Sequence, residues 1–292
     1  MLTLYFKAYS IAVKFIPEND RTFRKKMTID DIDFNELYKQ HLIACHHYNL
    51  PSEKWDKKAM KMAENPVGKA SRYNQQLLQT IQVQPHETVL DIGCGPGTFA
   101  LPLAQQCQQV YALDYSAGML DVLADYKQKL QRENISLIHR SWVEDWADVP
   151  QADVVLASRS TLVDDLDDMI DKLRTKAKKR VYLTSIIQRH FLDEGVFSAI
   201  GREDIGFPSY IYLLNRLYQK GIQANLNFIE TESGSFMGET YEDLLNSIEF
   251  SLGQLSEKEK QGLAAFYRQK QQNNEPIAHG QRKWALIWWK VE

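Results

Sequence analysis

Apolar positions follow two different spacings along the chain, and the spacing changes near residue 85. Between Asp31 and about Val83 apolar residues recur every three to four positions, which predicts amphipathic helices. Pro51, Pro66 and Pro85 mark the breaks, because proline cannot continue the interior of a helix. The pattern therefore predicts a helical cap over residues 27–84, followed by a second region, 85–292, of a different structure.

From residue 85 onward, short apolar runs alternate with stretches of helical spacing. Such alternation is typical of an α/β fold in which helices cover both faces of a doubly wound, mostly parallel sheet. The predicted strands are residues 87–92, 110–114, 135–140, 153–158 and 180–186, and the helices between them are 97–106, 116–133 and 163–175. After residue 186 the sequence predicts a helix at 207–221, a strand at 224–230, helical structure over 240–273 and a closing strand at 283–290.

The most informative stretch reads VLDIGCGPG over residues 89–97. An apolar strand carries Asp91 near its end and runs into a turn with three glycines, which can bring the backbone into contact with a bound ligand because glycine lacks a Cβ. The next predicted strand ends in Asp114, and an acid at that place can accept hydrogen bonds from two ribose hydroxyls. Together these features predict a nucleoside site at the carboxyl ends of the strands.

Two classes of cofactor use this kind of geometry. The dinucleotide fingerprint G-x-G-x-x-G places a pyrophosphate at a helix N-terminus, but here Thr98 stands where its third glycine would fall. Asp91, two residues before Gly93, would face a diphosphate unfavourably and suits a cationic ligand. The residues therefore favour a cationic nucleoside, and a nucleotide dehydrogenase is the more distant alternative.

With a D-x-G-x-G-x-G motif after one strand and an acid closing the next, the chain resembles the class I S-adenosylmethionine-dependent methyltransferases. The run LDYSAGML at residues 113–120 also resembles the second motif of that family and the helix that follows it. The resemblance covers about residues 50–292 and is closest to uncharacterised bacterial members. It implies S-adenosylmethionine as the cofactor and a Rossmann-like sheet of seven strands, the last antiparallel, with residues 240–273 as a helical insertion before that strand.

The resemblance also implies which residues hold the cofactor. Asp114 would bind the ribose hydroxyls, with Tyr115 and Met119 beside the adenine. Cys94 occupies a place that needs a small residue for packing, in preference to the alternative of a reactive thiol. The residues that would line the methionine and ribose part are Asp91, Gly93, Cys94, Gly95 and Gly97.

After the third predicted strand the sequence departs from the family pattern. Many relatives have an acid there that binds the adenine amine, whereas this chain has Ser141 and Trp142. We expect Trp142 to stack on the adenine while Glu144 or Asp145 makes the polar contact, since flat ligands often lie against aromatic rings. The alternative for Trp142 is a place in the core.

Ser158 and Arg159 follow the fourth predicted strand, which places them near the methyl group, so they are the candidate catalytic residues. Arg159 suits a carboxylate or phosphate of the acceptor, and a structural salt bridge is the alternative. In the helical cap, Tyr73 is the candidate for a cation–π contact with the sulfonium, and core packing is its alternative. Neither an N-P-P-Y nor a D-P-P-Y motif is present, which disfavours methylation of nucleic-acid bases.

Composition and charge limit the other possibilities. The chain of 292 residues has 44% hydrophobic residues and 25% charged ones, as in ordinary globular proteins. Its formal net charge of −3 does not favour nucleic acid as a partner, and no interior run approaches the roughly 20 apolar residues that span a bilayer. Three cysteines without C-x-x-C spacing indicate a reducing cytoplasm.

Two further expectations concern the first part of the chain. His41, His46 and His47 lie around Cys45 without the spacing of a ligand set, so no metal site is predicted. Residues 1–26 differ in their pattern of apolar and charged residues from the rest of the chain, and we expect them to be weakly anchored. Met27 follows them and is expected to be an alternative start.

The sequence thus favours a cytoplasmic methyltransferase, monomeric or homodimeric, that acts on a small-molecule acceptor. Two alternatives stay open. An RNA- or protein-directed methyltransferase would be supported by a basic surface around the pocket, and a catalytically silent S-adenosylmethionine-binding module would lack an acceptor cavity. The motifs do not identify the acceptor, because a fold does not set function.

Overall fold

The structure is a computed structural model that describes residues 28–45, 51–63, 71–187, 194–203, 205–230, 240–275, 277 and 283–291. The chain divides into two compact units, Met1–Asp33 and Phe34–Glu292. The described part of the first unit contains a 3-10 turn, Ile29–Asp31, which is capped by Thr28. The predicted extension 1–26 and the alternative start at Met27 lie outside the described residues. The second unit holds the sheet and the helices discussed below.

A seven-stranded sheet forms the centre of the second unit, with the strand order β3-β2-β1-β4-β5-β7-β6. Strands β1 to β5 are parallel, and β7 runs antiparallel between β5 and β6. The prediction of a doubly wound, mostly parallel sheet of seven strands is therefore confirmed. The strands are β1 Thr88–Ile92, β2 Gln109–Asp114, β3 Ile135–His139, β4 Ala152–Ala157, β5 Ala177–Ile186, β6 Asn225–Glu230 and β7 Lys283–Lys290.

Ten α-helices are found in the described part of the chain, and three of them precede the sheet. They are α1 Phe34–Ala44, α2 Ser52–Ala63, α3 Arg72–Thr80, α4 Ala100–Leu103, α5 Ala117–Lys129, α6 Leu166–Lys176, α7 Glu194–Ile200, α8 Tyr210–Gln219, α9 Tyr241–Leu252 and α10 Glu257–Gln272. Among the described residues, no helix is both long enough and apolar enough to cross a membrane.

Both faces of the sheet are buried, as expected for strands that read as continuous apolar runs. In β1, Val89 and Leu90 are each 0% exposed, and they belong to two separate apolar clusters on opposite faces. The two belong to different clusters because adjacent side chains of a strand point to opposite faces. Helices α6 and α8 cover one cluster, and α3 and α4 cover the other. This packing leaves the carboxyl ends of β1, β2 and β4 as the edge at which the loops meet.

Several elements differ from the predicted bounds. The helix predicted at 97–106 is only one turn long, Ala100–Leu103, and it includes Pro102, which cannot donate the hydrogen bond of a longer helix. The helical stretch predicted at 240–273 is two helices, because α9 ends at Gly253, whose φ of +80° cannot continue a helix. The sequence pattern missed α7, a short helix whose apolar residues pack against the two insertion helices.

Candidate active site

The glycine turn after β1 is hydrogen-bonded to the end of β2. The N–H groups of Gly93 and Cys94 both donate to the Leu113 carbonyl, at 2.8 and 3.1 Å. The N–H of Gly95 donates to Oδ2 of Asp114 at 2.8 Å. The two sequence motifs therefore form one continuous surface at the carboxyl edge of the sheet.

Two of the glycines show why the turn needs residues without side chains. Gly97 has a φ of +94°, and a Cβ added there would lie 2.4 Å from Cδ1 of Leu123. Gly95 has a φ of +53°, and a Cβ added there would meet nothing within 4 Å. Gly97 therefore lets the turn pack on α5, while Gly95 borders open space that a ligand can enter.

Asp91 is a buried carboxylate that the protein does not fully satisfy. It is 1% exposed, and its Oδ2 atom has no hydrogen-bond partner in the described part of the chain. Burial and the nearby Asp114 raise the pKa of Asp91 to about 7, against a smaller opposing effect of the Ala100 N–H. An unpaired buried carboxylate is costly, so this oxygen is a natural contact for a donor or cation that enters the site.

Asp114 closes β2 and is 6% exposed. Its Oδ2 accepts the Gly95 N–H at 2.8 Å and its Oδ1 accepts the Ser116 N–H at 2.9 Å. Burial raises its pKa, although these backbone donors oppose the shift. Each carboxylate oxygen can accept a second hydrogen bond, so the group retains capacity for the two hydroxyls of a ribose.

The other predicted residues of the turn and of β2 are placed as follows. Cys94 is 4% exposed, and burial raises the pKa of its thiol, which keeps it protonated and unreactive. Tyr115 is half-buried next to Asp114, and its hydroxyl bonds the side chain of Trp55 from α2. Met119 is 4% exposed and packs against Ala59 of α2.

Helix α2 lies directly on the start of α5. Asp56 accepts a hydrogen bond from the Ser116 hydroxyl at 2.6 Å and another from the Gly118 N–H at 3.0 Å. A Cβ at Gly118 would lie 3.0 Å from Cα of Asp56, so a larger residue there would require α2 to shift. Further along, the rings of Trp55 and Phe250 meet edge to face at 5.8 Å, which joins α2 to α9 of the insertion.

Trp142 and Glu144 lie in the loop after β3. The Trp142 ring stacks on Trp146 at 4.9 Å, and its indole N–H donates to the Ser160 carbonyl at 2.8 Å. Glu144 is exposed and accepts the Ser141 N–H at 2.6 Å, a bond that lowers its pKa. Glu144 thus caps its own loop in this arrangement, while its contact with adenine, like that of Trp142, stays a prediction.

Tyr73, Ser158 and Arg159 lie together beside the glycine turn. The Tyr73 hydroxyl hydrogen-bonds Oγ of Ser158 and Oγ1 of Thr184, each at 2.8 Å. The Arg159 guanidinium carbon lies 3.6 Å from the centre of the Tyr73 ring. Tyr73 is 1% exposed, so in this arrangement its ring face is covered by Arg159. Its predicted contact with a sulfonium stays a prediction.

Thr184 was not among the predicted residues, although a signal for it exists in the sequence. It is 0% exposed in β5, where it bonds Tyr73 and also accepts the Arg159 N–H at 2.9 Å. A hydroxyl in an otherwise apolar central strand needs a partner, because unpaired buried polar groups cost free energy. The polar pair at positions 184 and 185 of the predicted strand could have drawn attention to this place.

The described part of the chain brings no three His, Cys, Asp or Glu residues together as a metal site. His46 and His47 lie outside the described residues. His41 is hydrogen-bonded to the Tyr212 hydroxyl and the Gly206 carbonyl, each at 3.0 Å.

Comparisons with known proteins agree with this architecture. Residues 89–180 match the methyltransferase domain family, and they include the glycine turn, β2 and the end of β4. The chain is a class I S-adenosylmethionine-dependent methyltransferase and thus an enzyme that uses S-adenosylmethionine. It belongs to one family with an uncharacterised protein of Haemophilus influenzae, which is 77% identical over 266 residues, covering 91% of this chain and 99% of that protein.

Other similarities are shorter or confined to the fold. A demethylmenaquinone methyltransferase of Oceanobacillus iheyensis is 34% identical over 23% of this chain and 29% of its own length. A probable ribosomal RNA small subunit methyltransferase A of Methanosphaera stadtmanae is 30% identical over 28% of this chain and 30% of its own length. A crystal structure of a methyltransferase-like protein from Bacillus halodurans shares the fold, with a TM-score of 0.54 and 13% identity over 75% of this chain and 98% of that one.

The residues present fit the cofactor. Asp91 offers a buried carboxylate oxygen without a partner, which suits a positively charged ligand. Gly95 borders open space next to it, and Asp114 has remaining acceptor capacity for ribose hydroxyls.

Proposed function

We propose that this enzyme transfers the methyl group of S-adenosylmethionine to a small-molecule acceptor at the carboxyl edge of β1 and β4. The observation that carries the proposal is the cover over this edge. Helices α2 and α9 meet at the Trp55–Phe250 contact beside the end of β2, and helices over this end of the sheet suit a small acceptor better than a large one. The net charge of −3 supports the same view, because enzymes that bind nucleic acid usually have a basic face.

In the proposed arrangement Asp91, Gly93, Cys94, Gly95 and Gly97 line the methionine and ribose part of the cofactor. Asp114 binds the ribose hydroxyls, and Tyr115 and Met119 lie on the adenine side. Support comes from the unpaired oxygen of Asp91 and from the open space at Gly95.

When bound, S-adenosylmethionine supplies a methyl group on a positively charged sulfur that leaves as a neutral thioether. The chemistry therefore asks the protein mainly for alignment and for the exclusion of water. The loop at 158–160 provides a rigid wall, since the Ser160 hydroxyl donates to the Ile92 carbonyl at 2.7 Å. Ser158 is held by Tyr73, whose raised pKa keeps its hydroxyl protonated, so Ser158 acts as a positioned hydrogen-bonding group.

An RNA-directed methyltransferase is the second candidate, because ribosomal RNA small subunit methyltransferases match 28% and 41% of the chain. Incubation of the full chain with methyl-labelled cofactor and separated metabolite, RNA and protein fractions decides between them. Label in the metabolite fraction supports the proposal. Label confined to RNA or protein contradicts it, and no label from any fraction favours a silent binding module.

The first prediction concerns Asp114. Asp114→Ala should weaken the binding of S-adenosylhomocysteine by roughly 1.5–3 kcal/mol, the range typical of hydrogen bonds to a charged group. Isothermal titration calorimetry measures the change, and Asp121→Ala, at an exposed site on α5, is the matched control. An unchanged dissociation constant for the Asp114 variant, with native-like melting, would remove Asp114 from the ribose site.

A further inference from the structure

Arg159 carries a positive charge that the surrounding protein does not neutralise. It follows β4 and is exposed, and none of the described carboxylates forms an ion pair with it. Desolvation by the surrounding protein lowers its pKa, and the contact with Tyr73 only partly opposes this. The guanidinium therefore lies partly among protein atoms and partly at the surface.

Arg159 keeps part of its hydrogen-bonding capacity available, because a guanidinium carries five N–H donors. The guanidinium lies 3.6 Å over the Tyr73 ring and 5.4 Å from the centre of the Trp284 ring. The guanidinium also hydrogen-bonds the Tyr73 hydroxyl, and its remaining N–H edges form no ion pair with a described carboxylate. Those edges match a carboxylate or a phosphate in a two-point geometry that a lysine cannot reproduce.

The backbone at Arg159 is held in a conformation that is unusual for arginine. Its φ is +57°, in the left-handed region, and its N–H donates to Oγ1 of Thr184 at 2.9 Å. Thr184 and Ser158 both bond the hydroxyl of Tyr73, the ring on which the guanidinium rests. A strained conformation persists where the surroundings enforce it, and such strain clusters at binding sites. The network thus fixes both ends of Arg159.

We infer that Arg159 binds an anionic group of the methyl acceptor, so that the substrate is a small molecule bearing a carboxylate or a phosphate, retained in the product. This rests on the proposed function, since it specifies the acceptor of that same site. The guanidinium lies toward β5 and β7, where Thr184 and Trp284 are found, and β1 and β4 separate it from β2 and Asp114. The charge therefore lies on the acceptor side of the glycine turn.

An RNA phosphate is disfavoured by the surroundings of the charge. Under the guanidinium, the Tyr73 ring lies in an aromatic cluster. Its centre is 6.3 Å from that of Phe99 and 6.1 Å from that of Trp284. A single cation against aromatic rings suits one anionic group on an organic body, whereas nucleic acid is usually bound by several basic residues along a surface.

The test uses three variants of the full chain. Arg159→Lys keeps the charge but loses the two-point geometry, and Arg159→Asn removes the charge with a residue that tolerates the left-handed region. Arg174→Gln, at an exposed site on α6, is the matched control for the loss of one arginine. Each variant is titrated with S-adenosylhomocysteine, and each is incubated with methyl-labelled cofactor and a metabolite extract split on an anion-exchange resin at neutral pH.

We expect the labelled product to arise from the resin-bound fraction. Arg159→Asn should lower labelling by at least about tenfold and Arg159→Lys by less, because a hydrogen bond to a charged group is worth more than an order of magnitude in binding. Both variants should bind S-adenosylhomocysteine as the native chain does, and Arg174→Gln should label normally. Phosphatase treatment of the bound fraction distinguishes the sources, since it abolishes a phosphorylated acceptor and spares a carboxylate.

Three results would overturn the inference. The first is label that arises from the unbound fraction or from RNA. The second is labelling by Arg159→Asn at the native level. The third is a loss of S-adenosylhomocysteine binding by Arg159→Asn in parallel with the loss of labelling, which would assign Arg159 to the cofactor. Failure of the proposed function looks different, because the native chain would then label no small molecule from either fraction.

Discussion

At the scale of single residues, the proposed site contains charged groups that the described protein leaves in an unfavourable environment. Asp91 is the clearest case, because its carboxylate is buried, one oxygen has no partner in the described chain, and Asp114 lies close enough to raise its pKa. Arg159 shows the opposite charge and a strained backbone. Proteins retain such unfavourable groups at binding sites, where the ligand compensates them.

The second prediction follows from the pKa of Asp91, which is about 7 in the folded chain. A raised pKa means that, at intermediate pH, the folded state holds a proton that the unfolded state has lost. The free energy of unfolding is therefore higher at acid pH, and this contribution of Asp91 disappears as pH rises through about 7. Asp91→Asn removes this dependence. Its stability relative to the native chain should therefore increase by about 2–3 kcal/mol between about pH 5 and about pH 8.

Chemical denaturation of the ligand-free protein at several pH values measures this difference. Asp121→Asn, on the exposed side of α5, provides the control and should follow the native curve. A difference that stays constant with pH would mean that Asp91 is ionised throughout. The same variant should bind S-adenosylhomocysteine less well, which separates the cost of the residue to folding from its use in binding.

At the scale of elements, the N-terminal helices are integrated with the sheet by specific polar contacts. Asp56 of α2 bonds the cap residue and the second residue of α5, at Ser116 and Gly118. A carboxylate at a helix N-terminus is favourable because it complements the unpaired N–H groups and the helix dipole. Helix α2 is thereby placed beside Tyr115, on the side where we propose the adenine lies.

The third prediction tests this contact. Asp56→Ala should lower the free energy of unfolding by about 1–2 kcal/mol, as for the loss of a helix cap, and should speed amide hydrogen exchange at Gly118 and Met119. Denaturation and hydrogen exchange measure the two effects. Lys57→Ala, at the next and exposed position of α2, should change neither. Equal exchange in both variants would show that α2 does not depend on Asp56 for its position.

At the scale of the whole molecule, the carboxyl ends and the amino ends of the parallel strands carry different groups. The proposed site lies at the carboxyl ends of the strands. At the amino ends lies an ion-pair cluster around Glu87, which is 2% exposed. Glu87 contacts Arg180 and, at 3.1 Å, Lys179, so it ties the start of β1 to β5 across β4. Burial alone would raise the pKa of Glu87, but the Gln84 N–H, Arg180 and Lys179 together lower it.

The fourth prediction tests whether the ion-pair cluster around Glu87 serves stability and not binding. Glu87→Gln leaves Arg180 without its buried carboxylate and Lys179 with Asp153 alone, so it should lower the free energy of unfolding by about 3 kcal/mol near neutral pH. Because the pKa of Glu87 is lowered by folding, this contribution should diminish as pH falls below the value of an unfolded glutamate. Denaturation measures the loss, and Glu257→Gln, 85% exposed, is the control.

Binding of S-adenosylhomocysteine by the Glu87 variant should be unchanged as long as the protein is folded, because the cluster lies at the other end of β1. Weakened binding in a fully folded variant would indicate that the edges are coupled through the sheet. The position of the site at the carboxyl edge is itself a consequence of parallel strand order, since only there do the loops after β1, β2 and β4 converge.

Much of the fold could be predicted from consecutive residues. The alternation of strands and helices, the glycine turn with Asp91 and the acid Asp114 are local patterns, because strand period, backbone freedom of glycine and motif spacing are all encoded within a few positions. The family and the cofactor followed from the same residues. Element bounds were predicted less well, since the short helix α4 contains Pro102, which limits its length.

Only the tertiary structure brought together residues that are far apart along the chain. Tyr73, Arg159, Thr184 and Trp284 come from α3, the loop after β4, β5 and β7, and nothing in their local sequence couples them. From its sequence context Tyr73 is predicted to contact the sulfonium, with core packing as the alternative, and in the structure its ring lies under Arg159. The sequence by itself determined the glycine turn and the acid that closes β2, where we propose the cofactor binds, because these are built from one turn and its neighbouring strand. The environment of each charge depended on long-range packing, which decides what else lies within a few ångströms of it.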